Sequence, residues 1–340
     1  MTAPPPATAR AAAFFSGAAK PDLGLRIVSP ADLNLQTAQP AAPELESLPS
    51  LVPYCLDFAG QYVYFAAGVD AQAAARAPFH HVFLREHSTG FLRVPAERLT
   101  PMPIGNLHPV ALFSPGRCGS TALSKLLAAM GALSISEPDF YTQVAMHTAL
   151  RASKRLPPDP AARVMMARAG ERLLAPLASQ SALACVIKMR SQATFAPQEI
   201  MAGFSTWPKT LFIVRGFQDW CQSRMRAFPD SLEENFLNYM FALQALRWLR
   251  AHSDCLCLEY EHIVTRSTEL ARRIADFLGL SAPSPETIGA ALATDAQEGT
   301  VLERTRLARD LPEATTRAIT KLWQARAPRP LLRELGLEHL

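Results

Sequence analysis

Four short apolar runs recur between helix-length stretches over the last two-thirds of the chain, and they limit the fold more than any other feature. Val110-Ala111-Leu112-Phe113, Leu183-Ala184-Cys185-Val186-Ile187, Thr210-Leu211-Phe212-Ile213-Val214 and Cys255-Leu256-Cys257-Leu258 are too short for buried helices. They are also too uniformly apolar for strands with one wet face. Leu133–Ile135 is a further strand candidate. Stretches of helical character lie between them, at about 121–130, 140–151, 161–179, 219–227, 232–251 and 267–278. Strand-then-helix alternation on this spacing predicts an α/β fold, a P-loop-type parallel sheet flanked by helices. Ligands in such folds sit at the carboxyl ends of the strands, so the segments that follow each run carry the chemistry.

Before this domain, expected at 105–340, the texture differs. Residues 1–45 are rich in Ala and Pro and lack sustained periodicity, which predicts a flexible arm or a loosely packed wrap. Residues 46–104 read as a small β-rich appendage. Tyr62-Val63-Tyr64-Phe65 is strand-like, and His81–Arg85 and Phe91–Val94 flank Ser88-Thr89-Gly90 as a hairpin, with His80 and His81 facing opposite ways. A formal net charge of +4, with Lys and Arg scattered, argues for an anionic small ligand rather than nucleic acid. The six cysteines have neither disulfide-framework nor zinc-site spacing, so buried, reduced thiols are expected. No run reaches the ~18 apolar residues of a membrane span, and the first residues lack the basic flank and apolar stretch of an export signal; a cytoplasmic protein is expected.

Ser114-Pro115-Gly116-Arg117-Cys118-Gly119-Ser120-Thr121 joins the first of the apolar runs to the first helix. Small residues let backbone N–H groups converge on an anion, the helix N-terminus adds partial positive charge, and Ser120 and Thr121 offer hydroxyls or a cap. The turn does not fit a nucleoside-triphosphatase loop. Two residues separate Gly116 from Gly119 where that motif needs four before Gly-Lys, and the lysine is missing, as is a strand-ending Asp to help hold magnesium. A second anion site follows the run Thr210–Val214, where Arg215 presents a planar fork suited to phosphate oxygens. Ser223 lies eight positions later on the next helix, and Asp219 fits that helix's N-cap.

These segments resemble the sulfotransferases that use 3′-phosphoadenosine 5′-phosphosulfate (PAPS). Pro115–Thr121 resembles their 5′-phosphosulfate loop, in the variant with Arg before x-Gly. The strand ending in Arg215, with Ser223 beyond it, resembles their 3′-phosphate site. Leu256–Ile263 followed by Arg273–Leu280 resembles their strand–Tyr-Glu–helix–Phe-Leu-Gly stretch. The resemblance spans about residues 109–338 and is strongest to the tyrosylprotein and bacterial small-molecule branches. It implies PAPS as cosubstrate, adenosine 3′,5′-bisphosphate (PAP) as product, and no metal. It places Glu137 where those branches carry a carboxylate base, Lys188 at their strand-ending lysine, and Thr300 and Arg304 in their late cofactor loop. Gly116, Arg117, Cys118, Gly119, Ser120, Thr121, Arg215 and Ser223 complete the implied donor site. The extra Gly116 and Cys118, Ala122, and the β-rich segment before residue 105 depart from the pattern.

Sulfuryl transfer, like phosphoryl transfer, is an in-line displacement governed by positioning and electrostatics. Lys188 and Arg117 are the cations expected beside the bridging oxygen, assisted by Thr300, and Glu137 is the expected base, with His147 and His108 as alternatives. The acceptor is a hydroxyl or amine of a small molecule or peptide. Two other readings share the fold: a small-molecule kinase and a non-catalytic nucleotide-binding protein.

Overall fold

Val110 to Phe113 are buried on both faces, because their strand lies at the centre of a sheet covered by helices on each side. The computed structural model describes residues 11–16, 19–20, 26–34, 38–40, 51–178, 184–293 and 310–340. Ten strands lie in two sheets among these residues. The first sheet is antiparallel: β1 (Ala13–Ser16), β2 (Ala38–Pro40), β3 (Val52–Asp57), β4 (Tyr62–Ala67) and β5 (Gly90–Pro95), in the order β2-β1-β5-β4-β3. The second is parallel: β6 (His108–Phe113), β7 (Leu133–Ser136), β8 (Ala184–Lys188), β9 (Lys209–Val214) and β10 (Cys255–Glu259), in the order β10-β9-β6-β8-β7. This is the α/β architecture read from the apolar runs.

Register aligns the strand ends that matter. Lys188 stands level with Leu112 on one side and Ser136 on the other, while Phe113 stands level with Phe212. The turns after β6, β7, β8 and β9 therefore open on one edge. The helices that follow obey local rules. Leu232–His252 starts with a reciprocal cap, in which Ser231 Oγ accepts from the Glu234 N–H and Glu234 Oε2 accepts from the Ser231 N–H. Ser267–Leu278 ends at Gly279 in the left-handed conformation.

Three expectations are corrected. The stretch expected as a flexible arm supplies β1 and β2, and the buried Val28 as well. The hairpin at Ser88–Gly90 does not form, because His80–His87 is a helix that buries His80, His81, Leu84 and Arg85 at helical spacing, so the two histidines do not face opposite ways; β5 pairs instead with β4 and β1. Asp219 is not an N-cap: the helix Phe217–Ala227 begins after Gly216, which places Asp219 in its first turn.

The two sheets share one core. Leu56, Val63, Phe65 and Leu92 from the antiparallel sheet belong to the same buried cluster as Val110, Ile187 and Phe212. Gln143, on the helix Asp139–Ser153, ties them further: its Oε1 accepts from the Leu56 N–H at 2.8 Å and its Nε2 donates to the Leu56 carbonyl at 3.2 Å. No described helix is long and apolar enough to cross a membrane.

Candidate active site

The turn after β6 is built from left-handed backbone. Gly116 (φ 79°), Arg117 (φ 54°) and Gly119 (φ 76°) all take positive φ, and Gly119 leads into the helix Ser120–Ala129. Glycine suits two of these positions; at Arg117 the conformation costs about 1–2 kcal/mol. A Cβ on Gly119 would lie 2.8 Å from the ring of Tyr260, so the turn can approach that ring only without a side chain. The loop is braced from behind. Trp220 Nε1 donates to the Gly116 carbonyl at 2.7 Å, and the buried Cys118 thiol donates to the same oxygen at 3.2 Å. Burial pushes the Cys118 thiol far up, so it serves as packing rather than as a nucleophile.

Lys188, at the end of β8, is buried and reaches three groups. Its Nζ lies 3.0 Å from Glu137 Oε1, 3.1 Å from Ser136 Oγ and 3.3 Å from Thr121 Oγ1. The cation is thereby held between the phosphate-type loop and the residue after β7. Glu137 adopts φ 61°, and its N–H donates to the Lys188 carbonyl at 2.8 Å. Burial alone would raise the Glu137 carboxyl. The charges of Lys188 and Arg190, with the Lys188 hydrogen bond, outweigh it and hold the carboxyl below its usual range.

Arg215 follows β9 and comes back to the same loop. Its Nη1 donates to the Arg117 carbonyl at 3.4 Å, and its guanidinium stacks over Tyr260 at 4.3 Å. Tyr239 donates to the Arg215 carbonyl at 2.7 Å, fixing the turn. The Arg215 Nε is buried, with no hydrogen-bond partner among the described residues. Ser223 lies half-buried on Phe217–Ala227, nearly two turns in, one residue before Arg224. Arg224 faces the loop from that helix: its Nη1 would lie 3.6 Å from a Cβ on Gly116, with Ser191 nearer still at 3.3 Å. Asp230 neutralises Arg224 at 2.8 Å.

Gly116 to Thr121, Glu137, Lys188 and Arg215 thus gather on one sheet edge. Thr300 and Arg304 lie outside the described residues. The alternative histidines sit elsewhere. His108 opens β6, five residues and about 17 Å of strand from the turn after Phe113. His147 is engaged by Asp159 at 3.0 Å and stacks on Phe58. Nothing in the local sequence marks Trp220 as a brace or Tyr260 as a neighbour of the loop. Their contacts to the loop join residues 104 and 141 positions apart, and no local pattern carries them.

A cleft of about 340 Å³ begins at Pro115, beside the loop. Met146, Phe195, Leu237 and Phe241 give it apolar surface, and Ser191, Gln192, Asn238, Asp230 and Glu234 give it polar groups. Met146, Leu237 and Phe241 are exposed despite their size.

No family model matches the chain, and no curated protein matches it significantly. Solved structures do. The sulfotransferase domain of the Synechococcus PCC 7002 olefin synthase is 18% identical, with 66% of this chain and 97% of that one covered at a TM-score of 0.40. A mouse sulfotransferase complexed with PAP is 12% identical, over 70% and 93% of the two chains, at 0.41. A sulfotransferase from Alicyclobacillus acidocaldarius is 15% identical, over 61% and 98%, at 0.36. Each of these three is a sulfotransferase to which this chain is similar at low identity.

Proposed function

We propose that the chain is a sulfotransferase that moves the sulfuryl group of PAPS onto a hydroxyl or amine of a small apolar acceptor. The observation that carries this reading is the three-way contact of Lys188 Nζ with Thr121, Ser136 and Glu137, beside a left-handed loop to which Arg215 returns. The residues fit a nucleotide with phosphates at two ends. The loop from Gly116 to Thr121 has the left-handed backbone of an anion-binding turn, and the Arg215 Nε has no hydrogen-bond partner among the described residues.

PAPS supplies an activated sulfuryl group with a nucleotide phosphate as its leaving group. The loop N–H groups, with Ser120 and Thr121, hold the 5′ end. Arg215 and Ser223 hold the 3′-phosphate, and Thr300 and Arg304 belong to the same donor site. Lys188 and Arg117 place positive charge where negative charge develops as the bridging bond opens, the part a metal ion plays in phosphoryl transfer. Glu137, ionised through its cationic neighbours, accepts the proton of the acceptor group, a role that contributes ~10²–10⁴-fold.

The acceptor enters from the cleft at Pro115. Asp230 cancels the charge of Arg224, and Glu234 adds a negative charge. With the four apolar side chains, this favours an uncharged or amine-bearing apolar acceptor over an anionic one. A reducing, cytoplasmic compartment suits the buried thiols Cys55, Cys118, Cys185 and Cys221.

The test is direct. PAP should raise the melting temperature without magnesium, and Arg215→Ala should abolish that shift while leaving the fold intact. With labelled PAPS, primary alkanols and alkylphenols should be sulfated ahead of hydroxy-carboxylates of the same length. Stabilisation by ATP with magnesium and not by PAP would make the chain a kinase instead. PAP binding with no turnover for any alcohol or amine would leave a nucleotide-binding protein.

A further inference from the structure

We propose that the antiparallel sheet unit is a working part of the reaction centre, with His81 as a positioning residue that holds Glu137 against Lys188. The inference rests on the reading of Glu137 as the base, but its geometry stands by itself. Glu137 is a non-glycine residue at φ 61°, directly before Pro138, whose ring narrows the backbone choices of the residue preceding it. A residue keeps such a conformation only where its surroundings over-determine it.

Both faces of the Glu137 peptide unit are in fact clamped. On the sheet side its N–H donates to the Lys188 carbonyl. On the other side its carbonyl lies 3.2 Å from His81 Nδ1, on the helix His80–His87 between β4 and β5. A carbonyl only accepts, so Nδ1 carries the proton and donates. Among the described residues the buried His81 Nε2 has no hydrogen-bond partner, so this one hydrogen bond is the one the ring makes there. Burial, the largest influence, lowers the His81 pKa and keeps the ring neutral. Asp139 and Glu137 act upward on it, and Arg190 and Arg85 downward, with the buried His80 next to it in the chain.

The contacts on either side repeat the pattern. Phe79, two residues before His81, sets its ring 5.6 Å from Lys188 Nζ. Asp139, two residues after Glu137, is buried. It accepts from Arg190 Nη1 at 2.9 Å and from the Val28 N–H at 2.8 Å. The turn 137–139 is thus gripped by β8 and its extension through Lys188 and Arg190, and by the first third of the chain through His81, Phe79 and Val28. Without the second grip the strained peptide can relax, and the carboxylate leaves Lys188.

The test follows Glu137 itself in the full-length chain. Carboxyl-¹³C glutamate labelling, with Glu137→Gln to assign the signal, reads its titration. In the wild type the midpoint should lie below the ordinary glutamate value of about 4.3. His81→Ala should move it up toward that value. His81→Asn, whose side-chain N–H stands in for Nδ1–H, should keep it low. PAP release from PAPS with a primary alkanol should fall about tenfold or more in kcat for His81→Ala, with KM for PAPS unchanged and rescue by Asn. The same substitution should add nothing in a Glu137→Gln background. If His81→Ala does not fold, His81→Phe fills its volume without the donor and should shift the titration alike. A folded Ala or Phe variant with unchanged Glu137 midpoint overturns the inference. So does a kcat loss that persists on top of Glu137→Gln. If the titrations move as stated while the wild type sulfates no acceptor, the proposed function fails and the positioning role of His81 stands.

Discussion

Glu137 and Lys188 face each other at 3.0 Å in a turn where a lone charge would be costly; burial pushes the Glu137 carboxyl up, and the charges of Lys188 and Arg190 more than offset it. Because the folded carboxyl sits below its unfolded value, the stabilisation from Glu137 is complete above about pH 4.3 and is lost as pH falls through the folded pKa. Glu137→Gln should therefore be less stable than wild type by on the order of 2–3 kcal/mol at pH 7, with the amide oxygen still accepting from Lys188. The gap should narrow on acidification toward pH 3. Urea unfolding at the two pH values checks this, and a gap that stays constant rules out the ionised pair. The family resemblance marks Glu137 and Lys188 one by one, but their contact is not visible in the chain itself; it appears only when register sets Ser136 beside Lys188.

Among elements, the helix Phe217–Ala227 touches the loop twice. It follows β9, brings Arg224 toward Gly116 and sends the Trp220 indole to the Gly116 carbonyl. On the proposed function, this helix braces the 5′ end of the donor site and carries Ser223 for the 3′ end. Trp220→Phe keeps the buried ring but drops the donor. A neutral hydrogen bond contributes ~1 kcal/mol, so PAP affinity should fall about fivefold in calorimetric titration, with the melting temperature of the free chain little changed. Unchanged affinity would show that the loop holds its shape without the brace. The strands and long helices of this half were legible because burial on both faces leaves a continuous apolar signature. Those of the first third were less so. His81-Val82-Phe83-Leu84-Arg85 has strand-like composition, yet it buries His80, His81 and Leu84 against its neighbours as one helical face. Tertiary contact decided what propensity left open. Thr300 and Arg304 stay where the sequence put them, as expectations.

At the scale of the whole molecule, the parallel sheet carries Lys188 and Arg215 at its strand ends, and the segment between β4 and β5 of the antiparallel sheet packs against that edge through Phe79 and His81. The sequence separates the two before residue 105, where the texture changes. The structure joins them through a single buried cluster that runs from Leu56 and Phe65 to Ile187 and Phe212. Apolar burial does not respect the composition boundary, so the appendage and the domain should unfold as one cooperative unit. Gln143 is the sensitive link: it satisfies both the N–H and the carbonyl of Leu56 at a buried position, and each group left unpaired costs about 1–3 kcal/mol. Gln143→Leu should lower the stability of both sheets together. Tryptophan fluorescence reports the parallel half alone, since Trp207, Trp220, Trp248 and Trp323 all lie beyond residue 200. Amide exchange in β3 and β4 reports the other half. In the wild type and the variant the two probes should share one transition, shifted to lower denaturant in Gln143→Leu. If β3 and β4 exchange in an earlier transition while the tryptophans stay native, the two halves are separable domains, and the first is a docked accessory to the second.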